Sequence, residues 1–445
     1  MLQPSKLTDQ QLINELQQIE RLRNINVSKL LDDEFIEKLP GVTITARGEL
    51  FDTTKAGVIP TLVEKLYAER SDVKKRQLKI DQQIQDNQPN KQDLEKMSVQ
   101  YYNEQLALKI LMNSLYGATS NQYFRYYDPR IAESITLSAQ LTIKWAEKTI
   151  NNYLNSILDT NGVDYIIAID TDSLYINFGP YIGKTLPNNP TRDEILNHLD
   201  NLCKQTVEPI LDKAYSDLKE KMNCAKQKMV MKREVIANKG IWTGKKHYIV
   251  NVLNSEGVQY AEPKLKMTGI EAVKSSTPYI CRKMIKDAIA LIMNGSEEEV
   301  QQYINECYEN FKAQRAEEIA FPRGVSNLEK YISKNTIYKK ATPIHVRGAL
   351  LFNHCLDTMK LDKKYQKINS AEKIKFVYLK MPNTIKENVI AFNVVLPEEF
   401  NLNQYIDYET QFDKAFIQPI QSILSTIDWS ATPRAELNTL EEFFS

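Results

Sequence analysis

Several things this chain has little of narrow its reading before any motif is considered. Net charge is one: 57 Lys and Arg balance 57 Asp and Glu over 445 residues. Composition therefore offers no overall attraction to nucleic acid, and any such surface has to come from local segregation of charge. Cysteine is scarce, with five residues (Cys203, Cys224, Cys281, Cys307 and Cys355), odd in number and never spaced C-x-x-C. That speaks against a disulfide framework or a structural zinc and for a reduced, intracellular setting, the cytoplasm. The four histidines include no pair at metal-ligand spacing. No apolar run has the length of a membrane span and the N-terminus lacks a signal-peptide pattern, so no membrane partner is expected. What is present is an ordinary globular composition, 42% apolar and 26% charged, in a chain long enough for roughly two to four domains.

Residues 1–40 are polar with helical propensity. Val42–Thr45 and Glu49–Phe51 then read as strands around the turn Ala46-Arg47-Gly48. Val58-Ile59-Pro60 opens a helix whose apolar side is Leu62, Val63, Leu66 and Tyr67, with Arg70 and Lys74 four residues apart on one face. The Gln/Asn/Asp/Pro cluster at 81–92 predicts a break, and a second helix follows to about Tyr116, stopped by Gly117. Together they predict an antiparallel helix pair set into a sheet-bearing domain. Asp128-Pro129 marks another helix start, with Ile131, Ile135, Ser138, Thr142, Trp145 and Thr149 as its packing stripe. A loop at 186–192, a helix at about 193–222, a basic stretch from Lys226 to Val252 and a largely helical pattern from 270 complete the order.

Two stretches carry chemistry. In Tyr165–Phe178 an apolar run enters Asp170 and Asp172 and an alternating run leaves them, the pattern of two short strands joined by a tight turn. Alternation would place both carboxylates on one face, where two like charges call for a cation. The residues alone leave two readings open, a divalent-metal site for phosphoryl chemistry and a solvated Asp-rich turn. In Lys109–Gly117, helical spacing lines up Lys109, Asn113 and Tyr116, with Leu106 and Leu111 better placed for packing. A solvated amphipathic face is the rival reading. If Arg70 and Lys74 share that groove, three cations converge as a triphosphate would require.

Lys109–Gly117, Phe124–Asp128, Asp170-Thr171-Asp172-Ser173, Lys245-Lys246-His247-Tyr248, Tyr260–Lys266 and Ser275–Pro278, in that order, resemble family B DNA polymerases, in particular the replicative polymerases of T-even-type phages. The resemblance implies an α+β polymerase right hand: an antiparallel-sheet palm (1–57 and 122–269), helical-hairpin fingers (58–121), a mostly helical thumb (270–436) and a clamp-binding tail (437–445). It implies that Arg70, Lys74 and Lys109 bind the triphosphate and that Asn113 and Tyr116 line the nascent base pair. Asp172, with Asp170 and Glu234 near it, resembles the metal site, and Lys232 stands where relatives often carry an acid. Thr171, Ser173, Lys245, Lys246, His247 and Tyr248 are similar to DNA-contacting positions, with His247 where an arginine is usual, and Lys264 and Lys266 extend that track. Leu440, Phe443 and Phe444 resemble anchors for a sliding clamp. The implied reaction is template-dependent addition of dNTPs to a primer 3′-hydroxyl by two Mg2+ ions, in the host cytoplasm if the source is viral.

One part of the pattern is missing. The first palm motif of the family, Asp-x-x-Ser-Leu-Tyr-Pro-Ser, is nowhere in these residues, nor is an exonuclease region. The expectation is a split polymerase, inactive or nearly so alone, whose N-terminal polymerase/exonuclease subunit brings the missing Asp. The competing class is a non-catalytic remnant that holds primer-template DNA or a clamp, and a truncated gene model would mimic both.

Overall fold

The structure, a computed structural model, describes residues 25–31, 41–86, 88–333 and 336–432. The clamp-binding expectation on Leu440, Phe443 and Phe444 lies outside them. The chain divides into two units, 1–236 with 252–263 and 237–251 with 264–445, each with its own core.

In the first unit a short helix, α1 (Val27–Leu31), precedes the antiparallel pair β1 (Val42–Ile44) and β2 (Leu50–Asp52), as the turn residues Ala46–Gly48 predict. Next come α2 (Val58–Gln85) and α3 (Lys91–Thr119), which pack on each other. The short connection makes them antiparallel neighbours. Their seam is partly polar: Ser98 of α3 donates to Asp81 of α2, and on α2 Leu66 and Val73 are buried while Leu62 and Tyr67 lie exposed. The apolar side expected for α2 is thus only half used. Two further expectations change here. Gly117 does not stop α3, which continues to Thr119, and Leu111 is 52% exposed rather than packed.

Helix α4 (Pro129–Leu158) starts where Asp128-Pro129 predicts, the Asp128 side chain accepting a hydrogen bond from Arg130 N at 3.0 Å. The Arg130 guanidinium beside it also holds the Asp128 carboxyl below its ordinary pKa. The buried residues are Ala132, Ser134, Leu141, Thr142, Ile143, Ala146, Ile150 and Leu154. Of the expected stripe, Thr142 is buried, Ile131, Ser138, Trp145 and Thr149 are half-buried and Ile135 is exposed, so it flanks the most buried line rather than following it. β3 (Ile166–Asp170) and β4 (Ser173–Ile176) form an antiparallel hairpin. Its base, Tyr165 and Ile166 with Leu174 and Ile176, packs in one cluster with Ile150 and Leu154 of α4 and Leu196, Leu199, Leu211 and Tyr215. The last four belong to α6 (Arg192–Leu202) and α7 (Glu208–Lys221), which follow α5 (Gly179–Thr185). Thr191 caps α6 through a reciprocal bond with Glu194.

The basic stretch forms β5 (Val235–Gly244) and β6 (His247–Ser255), which with β7 (Val258–Thr268) make a sheet of order β5-β6-β7.

The second unit contains α8 (Tyr279–Asn294), α9 (Glu297–Lys312) and α10 (Ile344–Thr358) around Phe311, Phe352, Phe392, Phe400 and Phe416. It also contains an antiparallel sheet of order β10-β9-β8, from β8 (Phe321–Gly324), β9 (Lys373–Tyr378) and β10 (Val389–Phe392). The helical pattern expected from residue 270 overlooked this sheet. β10 is a four-residue apolar run, buried throughout, and such a run looks the same in a core helix. Gly348 on α10 lets helix and sheet approach, since a Cβ there would stand 3.0 Å from Ala391 N.

Candidate active site

The Asp170–Ser173 tip is held from its base. Asn151 on α4 accepts from Tyr165 N and donates to Asp164, both at 2.9 Å. Asn155, one turn on, exchanges two bonds with the Val163 backbone, at 2.7 and 3.0 Å. Asn177 N donates to Tyr165 O at 2.8 Å where β4 ends. Sequence reasoning passed over Asn151 and Asn155, because an amide on a helix signals nothing until its partners are known.

At the tip itself Asp170 ends β3 opposite Ser173, and Thr171-Asp172 is the whole turn. Asp172 N donates to Asp170 O at 2.7 Å, and Thr171 sits at φ +60°. A β-branched residue in the left-handed region is a steric outlier, and such outliers gather at functional sites. The geometry also corrects one step of the sequence argument. Asp172 lies in the turn, so strand alternation does not set its direction. Asp170 is half-buried and Asp172 exposed. Thr171 Oγ1 donates to Asp170 Oδ1, and Ser173 Oγ to Asp170 O, each at 3.2 Å.

Among the described residues no group of three or more His, Cys, Asp or Glu side chains is arranged to hold a metal ion. Glu234 is therefore not gathered with Asp170 and Asp172 into one cluster. The donor set at the turn is two adjacent carboxylates. It fits an oxygen-seeking cation such as Mg2+, which takes few protein carboxylates and completes its shell with water and substrate oxygens.

On the helix pair, Lys109, Asn113 and Tyr116 are all exposed on α3, the face that their spacing predicts. Arg70 and Lys74 lie half-buried on α2. Lys74 is ion-paired with Glu256, a residue sequence reasoning did not single out.

The basic stretch is less uniformly available than its composition implies. Lys228 pairs with Glu64, and Arg233, only 9% exposed, holds Asp200. Burial pushes the Asp200 carboxyl upward, but the hydrogen bonds from Lys204 and Arg233 outweigh it and leave its pKa lowered. Lys239 Nζ donates to Met293 O at 2.7 Å. Within the second unit, Lys245-Lys246 forms the β5–β6 turn, with Lys246 at φ +59° and His247 Nδ1 2.9 Å from Lys245 O. Gly269 packs under this turn at φ +67°, where a Cβ would come 2.1 Å from Lys246 O. Lys245, Lys246 and His247 are exposed. Tyr248, expected to face DNA, is instead buried and stacked on Trp242. Every residue of β6 from Tyr248 to Asn254 is buried, so this position lies inside whichever face it takes. Lys264 and Lys266 stand two apart on β7, hence on one face.

Comparison with known proteins agrees with the motif order. A family model for DNA polymerase family B matches residues 8–187. The DNA-directed DNA polymerase of Escherichia phage RB69 is 30% identical over 451 residues, 89% of this chain and 49% of the relative. That of Enterobacteria phage T4 is 29% identical over 445 residues, 88% of this chain and 49% of the relative. The DNA polymerase delta catalytic subunit of Drosophila melanogaster is 26% identical over 149 residues, 34% of this chain and 12% of the relative. The chain thus spans about half the length of the two phage polymerases.

Proposed function

We propose, from the chain's place among relatives of the family B DNA polymerases, that it supplies the nucleotide-binding, catalytic-hairpin and DNA-gripping parts of a DNA-directed DNA polymerase. The observation that carries this is the Asp170–Asp172 turn: two carboxylates on a strained two-residue turn, anchored through Asn151 and Asn155. A solvated loop of acids needs neither the strain nor the anchors. In this reading residues 1–57 and 122–269 are palm, 58–121 fingers and 270–436 thumb.

Arg70, Lys74 and Lys109 bind the triphosphate of an incoming dNTP, the arginine in a two-point grip and the lysines as point charges. They stabilise the charge that develops on the phosphates as the primer 3′-hydroxyl attacks. Asn113 and Tyr116 line the new base pair, where an aromatic face tests shape rather than sequence. Lys245, Lys246, His247, Lys264 and Lys266 hold the primer-template backbone. Asp172 and Asp170 would hold Mg2+, which when bound activates the primer hydroxyl and neutralises the departing pyrophosphate. Two carboxylates are few for a pair of ions, so a further Asp joins them from an N-terminal polymerase/exonuclease part, which we place on a separate subunit. A sliding clamp is the remaining partner of this reading.

Primer extension by the chain, with and without an N-terminal polypeptide bearing the missing palm motif, tests the proposal. Extension should appear only with both. Asp172→Asn should then lower it by on the order of 10²-fold or more, with the mixture still binding primer-template. Vigorous synthesis by the chain alone would refute the split arrangement. Primer-template binding unmoved by nucleotide and Mg2+, with no extension in the mixture, would refute the polymerase reading.

A further inference from the structure

Lys74, one of the cations assigned to the triphosphate, already has an anionic partner. Its Nζ is ion-paired with Glu256, and the two side chains are 33% and 25% exposed. The carboxylate sits on a stiff support at the β6–β7 turn. Glu256 is held at φ +51° with its N donating to Glu234 O at 2.6 Å. Gly257 N donates to Asn254 Oδ1 at 3.1 Å, and that oxygen also takes Arg233 Nη1 at 2.5 Å. Helix α2 meets β7 at one more point, where Gln82 Oε1 accepts from Gln259 N at 3.1 Å, and it meets the segment before β5 through the Glu64–Lys228 pair. All three ties are polar and reach water, the kind that ions exchange readily.

We propose that Glu256 is an internal competitor of the nucleotide, its carboxylate holding Lys74 until an incoming triphosphate displaces it and frees α2 from the β6–β7 turn. This rests on reading Lys74 as a triphosphate ligand. A partly exposed ion pair is weak, while a Mg2+-bound triphosphate presents several charges to Lys74, Arg70 and Lys109 together, so the exchange runs toward the nucleotide. Every nucleotide that binds must first break the pair, and its apparent affinity is lower by the fraction of molecules in which Lys74 is engaged.

Calorimetric titration of the full chain with dATP and Mg2+, and with inorganic tripolyphosphate as a base-free probe, decides the matter. Glu256→Gln should tighten both ligands by up to about fivefold, and Lys74→Ala should weaken both. In the Lys74→Ala background Glu256→Gln should have no effect. Gln82→Ala, which removes a tie without touching a charge, should leave both affinities within about twofold. If Lys74→Ala weakens binding and Glu256→Gln does not tighten it, the competitor role is overturned and the triphosphate assignment stands. If Lys74→Ala changes nothing, both fall. Tightening by Gln82→Ala equal to that by Glu256→Gln would show release of the helix rather than competition of charges, and would also overturn the proposal.

Discussion

At the scale of single residues, polar side chains that bridge distant segments do much of the positioning. Asn151 and Asn155 fix the chain before β3, so the strain at Thr171 is borne by a braced hairpin. Arg233 plays the same part beside β5: it joins Asp200 of α6 to Asn254 of β6, almost out of contact with water. Replacing it with Met should destabilise the protein by about 2 kcal/mol, read as a lower midpoint of urea unfolding. The pH dependence follows from Asp200. Its folded pKa is lowered, so its contribution is present above the ordinary carboxylate pKa and is lost as pH falls through the folded value. Arg233→Met should therefore flatten the acid limb of the stability profile, and an unchanged limb would place that loss on other carboxylates.

At the scale of elements, α3 carries a glycine where its own stability would favour alanine. Gly117 lies inside it, and a Cβ there would meet nothing within 4 Å. Gly117→Ala should accordingly stabilise α3 by about 0.5–1 kcal/mol, seen as a raised melting temperature. If the glycine is there so that the new base pair can approach Asn113 and Tyr116, the same variant should extend primers more slowly in the reconstituted mixture. A gain in both stability and rate would show that Gly117 has no such role. Ile110, Leu111 and Tyr116, on different sides of α3, are exposed as well. The start of α4 was readable from Asp128-Pro129 and the break between α2 and α3 from the polar cluster at 81–92, although α2 runs on to Gln85 and α3 past Gly117. The most buried line of α4 was only partly so, because it mixes Ala132, Ser134 and Ala146 with Leu141, Ile150 and Leu154, and the small members give no periodic signal.

At the scale of the whole molecule, the first unit holds two hydrophobic clusters and the second one, none shared between them. In the second, Phe311 is fully buried among Tyr408 and Phe412. Phe311→Ala should lower the stability of that unit by roughly 3–5 kcal/mol, measured by denaturant unfolding followed with probes in each unit. A loss centred on the first unit would contradict the placing of Phe311 in the core of the second. Among the described residues no helix is long and apolar enough to cross a membrane, in line with the absence of long apolar runs. What the sequence determined by itself is the chemistry and its local setting: the acid pair between two strands, the cation, amide and phenol on one helical face, and a motif order that resembles that of family B polymerases. Those are properties of spacing, and spacing survives without a fold. What only the tertiary structure decided depends on residues far apart in the chain. Examples are Glu256 against Lys74, Asp200 against Arg233, Tyr248 turned inward, and a sheet built from β8, β9 and β10. Charge pairing and burial are set by what packs opposite a side chain, and no local pattern records it.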